Sequence, residues 1–152
     1  MDITVQGDVL WIHKDKPPLR IRNLAARVAA RNTRIGFAIR WLRCGRQCAH
    51  GRAYKMMPPA TSRMLFEAGC VTRSRRYIRL YYGVSEAENR IVVLHEMAHQ
   101  IRGTGHWHDD AFYRALLREA NAEGMLRQVV LFHGRNAKRV LRLMRAEERL
   151  TA

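Results

Sequence analysis

The sequence predicts an α+β fold, because short segments with strand periodicity are interleaved with longer segments that have helix periodicity. The chain has 152 residues and is 47% hydrophobic, which is ordinary for one globular domain with a single core. Its sequence shows no internal repeat, low-complexity tract or clear linker. We therefore expect one domain over residues 1–152, ending in a basic helix at about residues 135–150.

The first forty residues predict a hairpin, a helix and a strand. Residues 2–13 are rich in β-forming residues on both sides of Gly7, which predicts a small hairpin or an edge strand. Pro17 and its neighbouring proline can open a helix, and apolar residues at helical spacing continue it to about Asn32. The arginines of this helix lie mostly elsewhere around it, where they could face solvent or a polyanion. Residues 34–42 then alternate in hydrophobicity, which predicts a strand.

The middle of the chain is less regular. Residues 43–63 have no clear period, which predicts turns or loops with short strands at most. Residues 76–82 alternate again and predict a strand that ends at Gly83. This strand could be a sheet edge along which an extended peptide lies, or an ordinary core strand, and the sequence leaves both open.

Three segments complete the chain. The first is a helix with Asp109 in its first turn and Gly124 beyond its end. Residues 129–132 are a short apolar run that could be a strand or a buried turn. Residues 135–150 predict a basic helix whose charges either contact nucleic acid or form a solvated face.

The residues with the clearest chemistry form an H-E-x-x-H motif, His95, Glu96 and His99. Two histidines four positions apart on a helix lie one turn apart on the same face, so both imidazoles can bind one metal ion. Glu96 then projects beside the ion, where its carboxylate can take a proton from a bound water. A capping box that begins at Ser85 and a stop at Gly103 predict the helix that carries the motif.

A catalytic zinc site needs a third protein ligand and one open position for water. A downstream glutamate would make a thermolysin-like site, and the chain offers Glu119, Glu123, Glu147 and Glu148. A third histidine in H-E-x-x-H-x-x-G-x-x-H would make a metzincin, but Gly103 and His106 each come one residue too late. The motif alone therefore leaves the third ligand open between His106 and His108.

The stretch around the motif resembles the SprT-like and WLM families of small zinc metallopeptidases, to which the Spartan proteases belong. Those families have H-E-x-x-H, a short loop, and a histidine four residues before a phenylalanine. His108 and Phe112 hold that relation here, and Asp109 resembles the residue that WLM members carry at this position. The resemblance implies that His108 is the third zinc ligand and that Phe112 anchors the following helix in the core. It covers about residues 20–120, although only the part around the motif is specific.

The resemblance also implies a zincin-like fold, with a small, mostly antiparallel sheet packed on the zinc-binding helix. It implies a Zn²⁺-dependent metallopeptidase acting on a protein or peptide substrate, with the metal held by His95, His99 and His108 and with Glu96 as the catalytic base. His106 stays the rival third ligand or a group near the substrate. The candidates for stabilising the oxyanion are Tyr81, Tyr113, Arg102 and His106. The four-cysteine zinc ribbon of many SprT-like proteins is absent here, which puts any function of that module in doubt.

The strongly basic net charge suggests the kind of partner that the protein binds. Lys and Arg total 28 against 13 Asp and Glu, a net charge of +15, which makes nucleic acid the first partner to consider, with a plain solubilising surface as the alternative. The competing function is a non-catalytic nucleic-acid-binding or regulatory protein with a structural or vestigial zinc site. The sequence has no signal-peptide pattern and no apolar run long enough to span a membrane. We therefore expect a cytoplasmic protein, at the nucleoid or in the nucleus if it binds nucleic acid.

The remaining cysteines and histidines predict little chemistry. Three cysteines are an odd number and do not suggest a disulfide framework. A second metal ion could be held by Cys44, Cys48, His50 and Cys70, but the spacing is not standard and buried thiols explain it more simply. We expect His13 and His133 to be surface or packing residues rather than ligands.

Overall fold

The computed structural model describes residues 2–43, 51–53, 78–82, 86–103 and 108–151. Within these ranges the chain has the predicted α+β architecture, with one sheet and five helices. The strands are β1 (Asp2–Gln6), β2 (Val9–His13), β3 (Phe37–Arg43), β4 (Gly51–Ala53) and β5 (Ile78–Tyr82). The helices are α1 (Leu19–Arg31), α2 (Glu86–Arg102), α3 (Asp110–Ala122), α4 (Leu126–His133) and α5 (Arg135–Thr151).

The sheet is mixed, with the described strands in the order β1-β2-β3-β5-β4. The two outer pairings, β1 with β2 and β4 with β5, are antiparallel, whereas β2 with β3 and β3 with β5 are parallel. The prediction of a mostly antiparallel sheet is therefore wrong. The reason is the connection between β2 and β3, because it runs through α1 and so returns the chain to start β3 in the same direction as β2.

The predicted strands and helices of the first half are confirmed, with one change of role. The hairpin of β1 and β2 turns at Gly7, whose φ of 57° is the left-handed conformation that glycine adopts without strain. The strand at β5 is flanked by β3 on one side and β4 on the other, so it is an interior strand. The alternative in which this strand is a free edge for a peptide is therefore wrong, and β4 takes the edge position among the described strands.

The apolar run at residues 129–132 forms neither a strand nor a buried turn, but part of α4. Its backbone is helical, because the amide of Val129 donates to the carbonyl of Met125, and Gly134 closes the helix by donating to Val130. Only Val129 of this run is fully buried, while Leu131 is 65% exposed. A helix explains that pattern, because it turns successive apolar side chains to different sides.

The arginines of α1 are engaged more than expected. Arg31 forms ion pairs of 2.8 Å with both Glu119 and Glu123, and Arg27 pairs with Glu123 at 2.7 Å. Asn32 donates to Glu119 at 3.0 Å. We call these five residues the α1–α3 ion-pair cluster, because it joins the end of α1 to the end of α3. It corrects the expectation that the arginines of α1 face solvent or a polyanion, since two of them bind carboxylates of the protein itself.

Helix α2 lies at the centre of the described structure. It contacts α1 and α3 on its helical side and β4 and β5 in the sheet, which confirms that the motif helix packs on the sheet. Its residues 91–94 and 96–100 are all buried, so α2 is covered on most sides by other elements. Among the described helices, none combines the length and the apolar character that crossing a membrane requires.

Candidate metal centre

Helix α2 places His95 and His99 side by side, as their spacing of four predicts. The two Nε2 atoms are 3.2 Å apart, and the ring planes meet at 72°. His99 is only 4% exposed, and His95 is half-buried. The predicted cap residue Ser85 lies outside the described residues, and the helix begins beside it at Glu86.

The short segment between α2 and α3 brings His108 to the same point. Its Nε2 lies 3.2 Å from the Nε2 atoms of both His95 and His99. The next residue, Asp109, caps α3 by accepting from the amide of Phe112 at 3.0 Å, and its carboxylate also accepts from the guanidinium of Arg102. Asp109 thereby ties the start of α3 to the end of α2, and this tie fixes the position of His108.

The three Nε2 atoms form a triangle with 3.2 Å sides. Three nitrogens bound to one tetrahedral ion at about 2.0–2.1 Å lie about 3.3–3.4 Å from one another, so the triangle matches a shared metal ion closely. Imidazole is a common ligand for zinc and for several other transition metals. The histidines could therefore hold a metal ion, and their geometry leaves its identity open.

The surroundings of the triangle favour the neutral form of His95 and His108, the form in which histidine binds a metal ion. Burial and the neighbouring His99, His133 and His108 lower the pKa of His95 to about 2. Burial also lowers the pKa of His108. Phe112 closes one side, with its ring centroid 4.3 Å from that of His99, and it is fully buried, as predicted for the anchor of α3.

Glu96 follows His95 directly on α2 and is 4% exposed. Its Oε2 atom is buried and has no hydrogen-bond partner within the described ranges. Burial raises the pKa of this carboxyl to about 8, because removal from water penalises the charged form. A buried carboxyl without a hydrogen-bond partner lowers stability when it is charged, and perturbed groups of this kind are typical of functional sites.

His133 is the residue that sequence reasoning missed. Its Nε2 is 2.7 Å from Nδ1 of His95, on the side of that ring away from the triangle, and its Nδ1 is 2.8 Å from the carbonyl oxygen of Val129. Burial lowers the pKa of His133. His133 is outside the set of histidines that could hold a metal ion, which agrees with the expectation that it is not a ligand, but this contact gives it a specific polar partner that the sequence did not predict. No local pattern could have found it, because His133 and His95 are 38 positions apart on different helices.

The other residues proposed from the sequence are placed elsewhere or not described. Glu119 and Glu123 belong to the α1–α3 ion-pair cluster and Glu147 pairs with Arg114, so these carboxylates are not directed at the histidines. Tyr113 is close to the site, with its ring 6.4 Å from that of His108. The remaining predicted groups lie outside what the structure describes: His106, the side chain of Tyr81, Cys44, Cys48, His50 and Cys70.

Comparison with known proteins adds no relative. The chain matches no protein-family model, no curated protein and no solved structure.

Proposed function

We propose that the chain is a zinc-dependent metallopeptidase with a zincin-like arrangement of α2 against the sheet. The observation that carries the proposal is the convergence of three histidine nitrogens at 3.2 Å with a buried glutamate next to the first histidine on the same helix. Zinc suits three imidazole ligands with a fourth position open. The resemblance of the motif and of the His108–Phe112 spacing to SprT-like and WLM peptidases supports the same reaction.

Zinc bound by His95, His99 and His108 would supply a Lewis acid that polarises the scissile carbonyl and lowers the pKa of a bound water to about 7. Glu96 accepts the proton of the attacking water and passes it to the departing amine. This role explains why a carboxyl with an unpartnered oxygen is kept in a buried position. A purely structural metal site has no use for it.

The outer side of β4, the last of the described strands, is the place that we propose for an extended substrate. This strand is the described edge of the sheet on the side of β5, and it contacts α2, which carries His95 and His99. A peptide that adds to an exposed strand gains main-chain hydrogen bonds whatever its sequence. Of the two predicted oxyanion donors whose side chains the structure describes, Tyr113 is the better placed, since Arg102 is held by Asp109.

The test compares wild type with Glu96→Gln after zinc loading. We expect about one zinc per chain in both proteins, and a peptide-cleavage rate about 10²–10⁴-fold lower in the variant, the range that general acid–base catalysis contributes. A library of unstructured basic peptides, with mass spectrometry of the products, serves as the substrate. Zinc bound at one per chain with no cleavage by wild type on any substrate would favour the non-catalytic alternative.

Helix α5 supports the second part of the proposal, that the substrates are associated with nucleic acid. Five exposed basic residues recur on it at intervals of three and four, and none of them has an ion pair within the described ranges: Arg135, Lys138, Arg142, Arg145 and Arg149. Residues at that spacing share one helix face, and fourteen positions span about 21 Å. By contrast, the neighbouring Arg139 pairs with Asp110 at 2.6 Å. We call the five residues the α5 basic stripe, and its unneutralised charge fits a phosphate backbone.

Charge reversal separates the stripe from the general charge of the protein. One double variant carries Arg142→Glu and Arg145→Glu. The control double variant carries Arg20→Glu and Arg34→Glu, which change the net charge by the same amount at two exposed positions distant in sequence from the stripe. We expect the stripe variant to bind duplex DNA at least tenfold more weakly and to lower the salt slope of binding by about two. If both variants weaken DNA binding equally, the stripe contributes only through the net charge of the protein. Cleavage of free peptides should be unchanged in both.

A further inference from the structure

We propose that His133 is a positioning residue that fixes the proton and the orientation of His95, so that Nε2 of His95 is presented to the metal. The inference rests on the proposed metal site and assigns a role to a residue outside the H-E-x-x-H motif. Two hydrogen bonds, one on each nitrogen of His133, carry it.

The first bond determines which nitrogen of His133 carries the proton. Nδ1 of His133 is 2.8 Å from the carbonyl oxygen of Val129. A carbonyl oxygen can only accept, so Nδ1 must be the donor, and in the neutral ring Nε2 is then an acceptor. Val129 is fully buried, and its position four residues earlier on α4 makes this anchor part of the helix itself.

The second bond transfers that assignment to His95. Nε2 of His133 is 2.7 Å from Nδ1 of His95, and since it accepts, Nδ1 of His95 must donate. The ring planes differ by only 12°, and the nitrogens are too close for parallel rings stacked face to face. The rings therefore lie edge to edge, with the hydrogen bond near the plane of both.

The consequence falls on the other side of the His95 ring. With its proton on Nδ1, the neutral imidazole has a lone pair on Nε2, the atom 3.2 Å from the Nε2 atoms of His99 and His108. The opposite tautomer would point an N–H into the triangle and exclude a cation. Val129, His133 and His95 thus form a chain that selects the metal-binding tautomer, as carboxylates and backbone carbonyls do behind other metal-bound histidines.

This assignment gives the short helix α4 a purpose. Helix α4 contacts α3 and α5, and Gly134, with a φ of 76°, turns the chain immediately after His133 into α5. Two of its apolar side chains, Leu131 and Phe132, are 65% and 45% exposed, and Val129 is its one fully buried residue. Helix α4 places the acceptor nitrogen Nε2 of His133 next to Nδ1 of His95.

Two substitutions separate the hydrogen bond from packing. His133→Gln keeps an acceptor oxygen at a position comparable to Nε2, whereas His133→Leu keeps bulk and removes the acceptor. The matched control is His13→Leu, which also removes a buried histidine that has one side-chain hydrogen bond, to Thr4 at 2.7 Å, but lies in the sheet. Zinc affinity is measured by competition with a chelator, and the tautomer of His95 by the ¹⁵N shifts of its ring in metal-free protein.

We expect zinc affinity about 10–100-fold lower in His133→Leu, the range for loss of such a partner, and within about threefold of wild type in His133→Gln and His13→Leu. The ¹⁵N shifts should show a proton on Nδ1 of His95 in wild type and in His133→Gln, and a mixture of tautomers in His133→Leu. Wild-type affinity and an unchanged tautomer in His133→Leu would overturn the proposal, and so would an equal loss in the leucine and glutamine variants. If His95→Ala leaves zinc affinity unchanged, the metal site itself fails.

Discussion

Two buried carboxylates in this molecule, Glu96 and Glu123, have opposite surroundings. The side chain of Glu123 is 3% exposed and forms ion pairs with Arg27 and Arg31. Burial would raise the pKa of Glu123, but the hydrogen bonds from these arginines lower it below its ordinary value. Glu96 is 4% exposed, has a buried oxygen with no hydrogen-bond partner within the described ranges, and has its pKa raised by burial to about 8.

This difference distinguishes an ion-pair cluster that stabilises the fold from a site with the properties of a functional one. In the α1–α3 ion-pair cluster, two shielded carboxylates are paired with partly exposed arginines, so the free energy lost on desolvation of the carboxylates is offset within the protein. At the candidate metal centre, three imidazole nitrogens face one point, and within the described ranges the Oε2 atom of Glu96 has no hydrogen-bond partner. Perturbed ionisable groups in such a cluster are typical of functional sites.

The largest expected effect comes from removing one corner of the histidine triangle. His108→Ala should lower zinc affinity by at least 100-fold, because two histidines alone cannot hold zinc as three do. His108 is exposed, so the free energy of unfolding of the metal-free protein should change by less than about 0.5 kcal/mol. Zinc at 1,000 times the wild-type dissociation constant should stabilise wild type by about 4 kcal/mol and the variant by at most about 1.4 kcal/mol.

The control for this assignment is His106→Ala, which changes the rival ligand two positions away. Its zinc affinity should equal that of wild type in the same chelator competition. Zinc loss in His106→Ala with retention in His108→Ala would reverse the assignment, and the triangle of nitrogens would then need another explanation.

A pH series compares the two carboxylates directly. The pKa of Glu96 is raised to about 8 in the folded protein, so folded protein binds its proton more tightly than unfolded protein does. Stability from this group is complete below its unfolded pKa of about 4.5 and falls as pH rises towards about 8. Metal-free Glu96→Gln lacks this loss, so its advantage over wild type should grow between pH 5 and pH 9 by about 4 kcal/mol.

Glu123→Gln provides the opposite sign. The pKa of Glu123 is lowered in the folded protein, so its charged form adds stability above the unfolded pKa and that contribution is lost as pH falls. The variant should be less stable than wild type at pH 7, with the difference shrinking in acid. Urea unfolding at each pH gives the free energy of unfolding of both variants and of wild type. If the two variants differ from wild type with the same pH dependence, the two carboxylates do not have opposite pKa shifts.

What the sequence could predict follows from the range of the interactions. The spacing of His95 and His99 and the acidic start of the helix at Asp109 depend on neighbours within one turn, and both are present in the structure, where Asp109 is the N-cap rather than a first-turn residue. Strand direction depends on how distant segments meet, so the parallel pairing of β2, β3 and β5 was not predictable from periodicity. A short apolar run such as residues 129–132 fits a strand or a helix equally well, and its neighbours in space decided for the helix.

The same limit applies to the polar contacts. The sequence marked Arg27 as a basic residue and Glu123 as a candidate ligand, but their pairing crosses 96 positions. The contact of His133 with His95 crosses 38 positions. In both cases the partner is determined by long-range packing of the fold. Residue type alone therefore could not distinguish a carboxylate in an ion pair from an unpaired one, or a packing histidine from one that hydrogen-bonds to a candidate ligand.

The smallest expected effect is at the α1–α3 ion-pair cluster, which should affect stability without affecting the metal. Arg31→Met removes the cation shared by Glu119 and Glu123, while Asn32 and Arg27 still contact one carboxylate each. Because Arg31 is one-third exposed, the free energy of unfolding should fall by about 1–2 kcal/mol, below the cost of breaking a fully buried pair.

Arg20→Met is the matched control, since Arg20 approaches Glu86 only at 3.8 Å and is 84% exposed. It should change the free energy of unfolding by less than about 0.5 kcal/mol. Zinc affinity should stay within about threefold of wild type in both variants, because neither arginine contacts the triangle or His133. A tenfold weakening of zinc binding in Arg31→Met would show that the α1–α3 ion-pair cluster and the candidate metal centre are coupled through α3. The two regions could then no longer be treated as independent.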